Sequence, residues 1–391
     1  MNKNKRDFTL FLLASAILGI SQSIDGSVFN NFLNDVFHIT VAQRSLLEIP
    51  REFPGFMVVF VSGILIFLGD VRIAAVANIL AAIGMIGMGF MSGDMGIMIA
   101  WLTLYSMGQH LFMPMSNSIA MNLADSENMG KKLGQINGAN TAMFLLTSAI
   151  TTIIFRKVKV NYQISFLVIA LALVVSAVLI LNMTPHKEKK KTKRLFVRKE
   201  YSRFYWLSIL FGARKQIFIT FGPWVLIKVF KQGAATFSIL GFIIAAIGMF
   251  FKPYVGKLID RKGERFVLAA EAVVLIIVCM GYAFSQVFFK GIGKESLSLY
   301  FVCGFFVIDQ LLTAAGMARA TYLKKIAVNP EDVSPTLSMG ISMDHLVSMF
   351  VPFLGASIWS AFGYEYVFLC GALIAVANLM LTRGVTTKAK V

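Results

Sequence analysis

In the stretch LFGARKQIFITFGPWVL, residues 210–226, Arg214 and Lys215 stand side by side in apolar surroundings. Two adjacent cations placed this way can recognise an anionic or zwitterionic group, Arg through a bidentate fork and Lys as a point charge. Gln216 adds a hydrogen-bonding amide beside them, and polar pairs recur in other greasy runs: Asp309 with Gln310, Asp344 with His345, and Gln109 with His110. Asp25 precedes Asn30 and Asn31 in a further one. Buried carboxylates and imidazoles can exchange protons, since desolvation favours the neutral form and a neighbouring charge shifts the balance. Asp309, Asp344 and His345 are therefore the candidates for proton coupling, and Arg214, Lys215, Gln216, Gln310, Gln109, His110 and Asp25 for holding a solute. A plainer reading is that two cations and two acids pair and hold helices together.

The runs around these residues identify the solvent. Of 391 residues 57% are hydrophobic and only 15% charged, a balance foreign to a soluble domain of this length. A helix needs about 20 predominantly apolar residues to cross a hydrocarbon core of about 30 Å. Such runs lie at 8–32, 49–69, 72–92, 97–122, 133–155, 162–183, 204–229, 235–259, 264–287, 298–322, 335–360 and 364–382. No alternating pattern of the barrel type occurs, so the expected fold is an all-α polytopic membrane protein of twelve transmembrane helices. The run after Lys3, Lys5 and Arg6 has small residues at Ala14 to Ala16 like a secretory signal, but it continues toward Val28 and is read as the first span.

With the N-terminus inside, the inner segments hold about three times as many Lys and Arg as the outer loops, so both termini are expected on the cytoplasmic side of a bacterial-type inner membrane. Arg156, Lys157 and Lys159 are the exception, falling on an outer loop. The same bias accounts for the net charge of +17, whose densest run, HKEKKKTKRLFVRKE at 186–200, reads as a linker beside anionic lipid headgroups rather than a nucleic-acid site. Cys279, Cys303 and Cys370 each fall within a span and imply no disulfide framework. No phosphate-loop pattern is present; VGKLID at 255–260 lacks both the glycine spacing and the hydroxyl. His110, His345, Asp25, Asp344 and the 21 methionines show no ligand spacing, and cations beside them oppose a metal ion. No metal, no cofactor and no enzymatic reaction are expected.

The basic segment 184–203 divides the chain into 1–183 and 204–391, six spans each. GISQSIDGSVFNNFL aligns with GARKQIFITFGPWVL at an offset of 193, and the same offset lays Gly63 and Leu65 on Gly256 and Leu258. Two pseudo-symmetric bundles follow. At about 1.5 Å per residue Arg214 lies about 15 Å into its span, near the midplane. Asp309, Gln310, Asp344, His345, Gln109 and His110 count to similar depth, with Asp25, Arg51 and Glu52 nearer the outer face.

GKLIDRKGERFVL, residues 256–268, resembles the loop signature of the major facilitator superfamily, in which Gly, Leu, Asp, Arg and Gly recur between the second and third helices of each half. The resemblance implies the major facilitator fold and a secondary transporter working by alternating access. It also implies a conformational latch at Gly256, Asp260, Arg261, Gly263 and Arg265. In the first half GILIFLGDVRIAA keeps Gly63 and Leu65 but has Phe67 where the superfamily has Asp. The drug-antiporter pattern is missing: Leu102 stands at the usual Arg, and KLGQINGANTAMFLLTSAI has no proline. In the superfamily helices three, six, nine and twelve of the bundle face lipid; here those spans carry one interior charge, Glu271, near an inner end.

Gly84, Gly87 and Gly89, and Gly134 with Gly138, have the small-residue spacing of close helix contacts, and Pro223, Pro352 and Gly355 mark expected kinks. The reading that results is a monomeric proton-coupled transporter of a small anionic or zwitterionic solute. Efflux of amphipathic compounds or lipids, and a non-transporting sensor, are the alternatives.

Overall fold

A computed structural model of the chain describes residues 3–64, 69–123, 129–184 and 197–385. Among the described residues every regular element is helical. The α-helices are α1 (Lys3–Asp35), α2 (Val41–Leu46), α3 (Glu48–Ile64), α4 (Asp70–Phe90), α5 (Met95–Asn122), α6 (Met129–Lys157), α7 (Tyr162–Leu181), α8 (Ser202–Lys228), α9 (Ala234–Lys262), α10 (Glu264–Gly291), α11 (Leu297–Leu312), α12 (Gly316–Ile326), α13 (Val333–Phe362) and α14 (Tyr364–Thr382). A 3-10 turn, Thr313–Ala315, joins α11 to α12 inside one hydrophobic run. Phe67 and most of the basic linker, residues 185–196, lie outside the described residues.

Nine helices among the described residues are long and apolar enough to cross a membrane, counting Leu297–Ile326 as one. This is an integral, multi-pass membrane protein. Three of the expected spans, α3, α5 and α8, fall short of that measure. For α3 the reason is length, since its described part has 17 residues. In α5 and α8 it is chemistry: Gln109 and His110, and Arg214 and Lys215, depress the hydropathy of the helices that carry them.

The chain divides into two compact units. The first comprises Met1–His38, Phe53–Thr192 and Gly233–Ala246. In it α4 packs on α5 and α7, and α1 on α6 and α7, around Phe11, Ile73, Leu111, Ile119 and Ile180. On α7 the small residues Ala170, Ser176 and Ala177 are buried while Leu171, Val175 and Val178 are exposed. Lipid is as apolar as leucine, so small residues that let helices approach closely add to the buried large ones in joining helices here. Gly84 shows the closeness: a Cβ there would lie 2.5 Å from the Tyr105 amide nitrogen and 2.8 Å from the Trp101 carbonyl. Gly134 and Gly138 do not share this role. Both are exposed, and a Cβ added at either would meet nothing within 4 Å, because the face of α6 that carries them is not the one packed on α1.

The second unit comprises Ile39–Glu52, Lys193–Gln232 and Ile247–Val391. There α8 packs on α13 and α14, α10 on α11 and α14, and α2 on α13. Gly212 of α8 lets a neighbouring backbone close in: a Cβ there would fall within 3 Å of both backbone and carboxylate of Asp344. Helices α8 and α13 continue through Pro223 and Pro352.

Two helix junctions repeat. Gly69 (φ 75°) precedes Asp70 at the start of α4, and Gly263 (φ 83°) precedes Glu264 at the start of α10. That backbone conformation suits glycine alone among common residues. Each acid is buried at a helix N-terminus, where the macrodipole favours negative charge. Asp70 accepts a hydrogen bond from Ser118, and Glu264 pairs with Lys325 at 2.8 Å.

Gly84→Ala should lower the thermal unfolding temperature in detergent, overpacking costing about 1–3 kcal/mol. Gly134→Ala should leave it unchanged or raise it, by up to about 1 kcal/mol of helix propensity. Equal shifts for the two variants would contradict the assigned packing.

Candidate functional site

The second unit gathers the greater part of the sequence-marked residues. Arg214 of α8 reaches two neighbours: Nη1 donates to Asp309 Oδ1 of α11 at 2.6 Å, and Nη2 to Glu271 Oε1 of α10 at 2.9 Å. All three side chains are sealed, at 2–3% exposure. Gln310 Nε2 donates to the other Asp309 oxygen at 3.0 Å. Within this triad Arg214 Nε and Glu271 Oε2 have no hydrogen-bond partner. A charge in hydrocarbon is costly and survives by pairing, and this cation is held by two acids.

One residue along, Lys215 leaves the other side of α8. Its Nζ donates to Asp344 Oδ1 of α13 at 2.7 Å, and Ser348 Oγ donates to the same oxygen at 3.2 Å. This pair keeps 16–17% side-chain exposure and is less enclosed than Arg214. His345, next on α13, meets Glu52 of α3, Nδ1 to Oε2 at 2.6 Å. Gln216 is wholly buried, its Nε2 donating to Thr220 Oγ1 at 3.2 Å while its Oε1 has no partner.

Glu271, the one interior charge expected on its span, has a partner in the structure. Its helix is the ninth expected span, one that faces lipid in the superfamily the sequence resembles, yet Glu271 turns inward to Arg214. The partner of a buried Arg lies a full helix away in sequence, and periodicity could not have joined them. Phe211, Arg319, Arg44 and Glu48 were not among the expected site residues. The Phe211 ring lies 3.5 Å from the Arg319 guanidinium carbon and 5.3 Å from that of Arg214. Glu48 receives hydrogen bonds from Arg44, four residues before it, and from Arg51, three after it, the latter at 2.9 Å. That spacing was a legible signal. Burial lowers the Arg44 guanidinium below its ordinary range while Glu48 works against the shift. The short helix α2 was also announced, by the capping box in TVAQ: Gln43 N donates to Thr40 Oγ1 at 3.2 Å, and Thr40 N to Gln43 Oε1 at 2.9 Å.

In the first unit Asp25 and Gln109 are brought together by Tyr105, whose hydroxyl donates to Asp25 Oδ2 at 2.9 Å and accepts from Gln109 Nε2 at 2.6 Å. His110 turns back on its own helix, to Ser106 Oγ at 3.1 Å and the Ser106 carbonyl at 2.9 Å. At the junction of α9 and α10, Asp260, Arg261 and Arg265 are exposed, and Gly256 and Gly263 are partly buried. The ion pair of that junction is Glu264–Lys325, between α10 and α12.

The profile of the Major Facilitator Superfamily matches residues 11–323. The chain belongs to that superfamily. It is a transporter, not an enzyme. Solved structures of superfamily-like shape cover it nearly end to end. A D-xylose-proton symporter shares 13% identity at a TM-score of 0.74, over 100% of this chain and 99% of that one. The nucleoside transporter NupG shares 14% at 0.72, over 98% and 99%. A bacterial homolog of the human lysosomal transporter Spinster, inward-facing and occupied, shares 14% at 0.71, over 98% and 97%. At such identity the likeness is one of fold. No curated protein matches the sequence.

Arg214→Leu leaves Asp309 and Glu271 buried without their shared cation and should cost about 3–5 kcal/mol. Adding Asp309→Asn and Glu271→Gln should recover much of the loss. A triple variant that unfolds no later than the single one, by thermal melting in detergent, would show that charge pairing is not what Arg214 contributes.

Proposed function

We propose that this protein is a secondary transporter that moves a small anionic or zwitterionic organic solute by alternating access, coupled to protons. The observation that carries the reading is the contrast between two neighbouring cations. Arg214 is held by Asp309 and Glu271 and sealed, while Lys215, next along α8, forms a partly open pair with Asp344 of α13. A proton on Asp344 removes the charge that holds Lys215 Nζ and frees the ammonium for the solute's negative group. Proton and anion therefore bind together, and loss of the proton returns Lys215 to Asp344. Such coupling is reciprocal: whatever the proton does for solute affinity, the solute does for proton affinity.

In this scheme Asp344, Asp309 and His345 handle protons, with His345 restrained by Glu52. Lys215, Gln216 and Gln310 in the second unit face the solute, on helices that the sealed Arg214 triad holds in place. The buried, unpartnered Gln216 Oε1 supports that role, since a polar atom without an acceptor or donor in a dry site gains most from a ligand. Proton coupling is in keeping with the D-xylose-proton symporter among the similar structures.

The architecture we propose is twelve spans in two six-helix bundles, 1–183 and 204–391, joined by a basic linker at 184–203 that rests on anionic headgroups. The repeated Gly–acid junctions at Gly69 and Gly263 support two related halves. Both termini are placed in the cytoplasm of a bacterial-type inner membrane, the protein acts as a monomer, and Gly256, Asp260, Arg261, Gly263 and Arg265 form its latch.

A metabolite screen on proteoliposomes with an imposed pH gradient tests the reading. Solute accumulation should follow the gradient in the wild type. In Asp344→Asn it should lose its dependence on the gradient while solute-for-solute exchange persists. Flux indifferent to the gradient in the wild type would end the proton assignment.

A further inference from the structure

We infer that Arg319 is the residue that first receives the negative group of the solute, a carboxylate or a phosphate; the inference rests on the anionic or zwitterionic reading above. Along the membrane-spanning helices of the second unit Arg214 and Arg319 are buried and Lys215 is partly buried. Arg214 and Lys215 are held by acids. Arg319, on α12, is 9% exposed and makes no hydrogen bond or ion pair among the described residues. Its one close partner is the Phe211 ring, 3.5 Å from the guanidinium carbon, which attracts a cation but accepts none of its five N–H donors.

The acids nearest to it act only at longer range. Glu271 and Asp344 contribute charge at Arg319, but Glu271 is bonded to Arg214 and Asp344 to Lys215. Burial and the like charge of Arg214 weigh against the guanidinium, and Glu271 and Asp344 offset them from a distance without occupying its donors. Its nitrogens are not among the sealed, unpartnered atoms that include Arg214 Nε, so the exposure that Arg319 retains reaches its donors. The local sequence makes the space: AAGMARA, residues 314–320, surrounds Arg319 with small residues, and a Cβ on Gly316 would stand 3.1 Å from Arg319 Nη2. A planar fork with open donors fits a carboxylate or phosphate face-on. Lys215 becomes available only when Asp344 is protonated; Arg319 is available from the start.

The test is ligand-dependent thermal stabilisation of the purified protein, since a ligand that binds the folded state raises its apparent stability. The probes are lactate, succinate and glycerol 3-phosphate, with lactamide, succinamide and glycerol as their uncharged counterparts, applied to wild type, Arg319→Gln, Arg319→Lys and Gly316→Ala. The expected result is stabilisation of the wild type by at least one anion and not by its counterpart. Affinity should fall roughly tenfold or more in Arg319→Gln and by less in Arg319→Lys. Ligand-free melting should stay cooperative. Gly316→Ala, which crowds the guanidinium without removing it, should weaken the same anion and covers the case in which Arg319→Gln does not fold. An anion that stabilises wild type, Arg319→Gln and Gly316→Ala alike overturns the role of Arg319 and leaves the anionic reading standing. Failure of every anion to stabilise the wild type overturns both.

Discussion

The second unit is organised around a single guanidinium. Arg214 could not lie in the middle of an apolar helix unless acids from elsewhere in the chain met it, and α10 and α11 each supply one. The requirement is mutual, since Glu271 and Asp309 would be as costly without the cation. Three helices are thereby held in one register by hydrogen bonds that no lipid can replace. The neighbouring contact of α8 with α13 obeys a second constraint, the missing side chain of Gly212, which lets the Asp344 backbone come close enough for its carboxylate to take Lys215. Charge fixes which helices meet and glycine fixes how near.

Hydropathy made the helices legible because the solvent for this chain is hydrocarbon, where helix is the main way to satisfy the backbone. Each expected run coincides with a helix over its described part, and Arg214, Lys215, Asp309 and Asp344 stood out because charge is rare in such runs. Which charge met which was not legible. Asp309 lies 95 residues from Arg214 and Asp344 lies 129 from Lys215, distances across which no periodicity carries information. The local signals were different. The capping box at Thr40 and the Arg44–Glu48–Arg51 spacing were in plain view, but short polar helices between long apolar ones attract little notice. Glycine spacing misled at Gly134 and Gly138 because a pattern along one helix says nothing of whether a second helix lies opposite.

The polar residues differ in what they leave open. In the triad of Arg214 one cation is bound by two acids in a sealed site, which suits a fixed element. The Lys215–Asp344 pair is simpler and less enclosed, one ammonium on one carboxylate oxygen, and such a pair separates at less cost than a bidentate fork in a sealed site. Asp25, Tyr105 and Gln109 form a third arrangement, a hydrogen-bonded chain ending in an acid.

The 3-10 turn at Thr313–Ala315 separates Asp309 from Arg319 along what hydropathy reads as one span. Such a turn has poorer hydrogen-bond geometry than the α-helix on either side, so twist concentrates there. The span is mechanically two short levers on a soft joint, and the lever bearing the acid can stay clamped while the one bearing the arginine swivels.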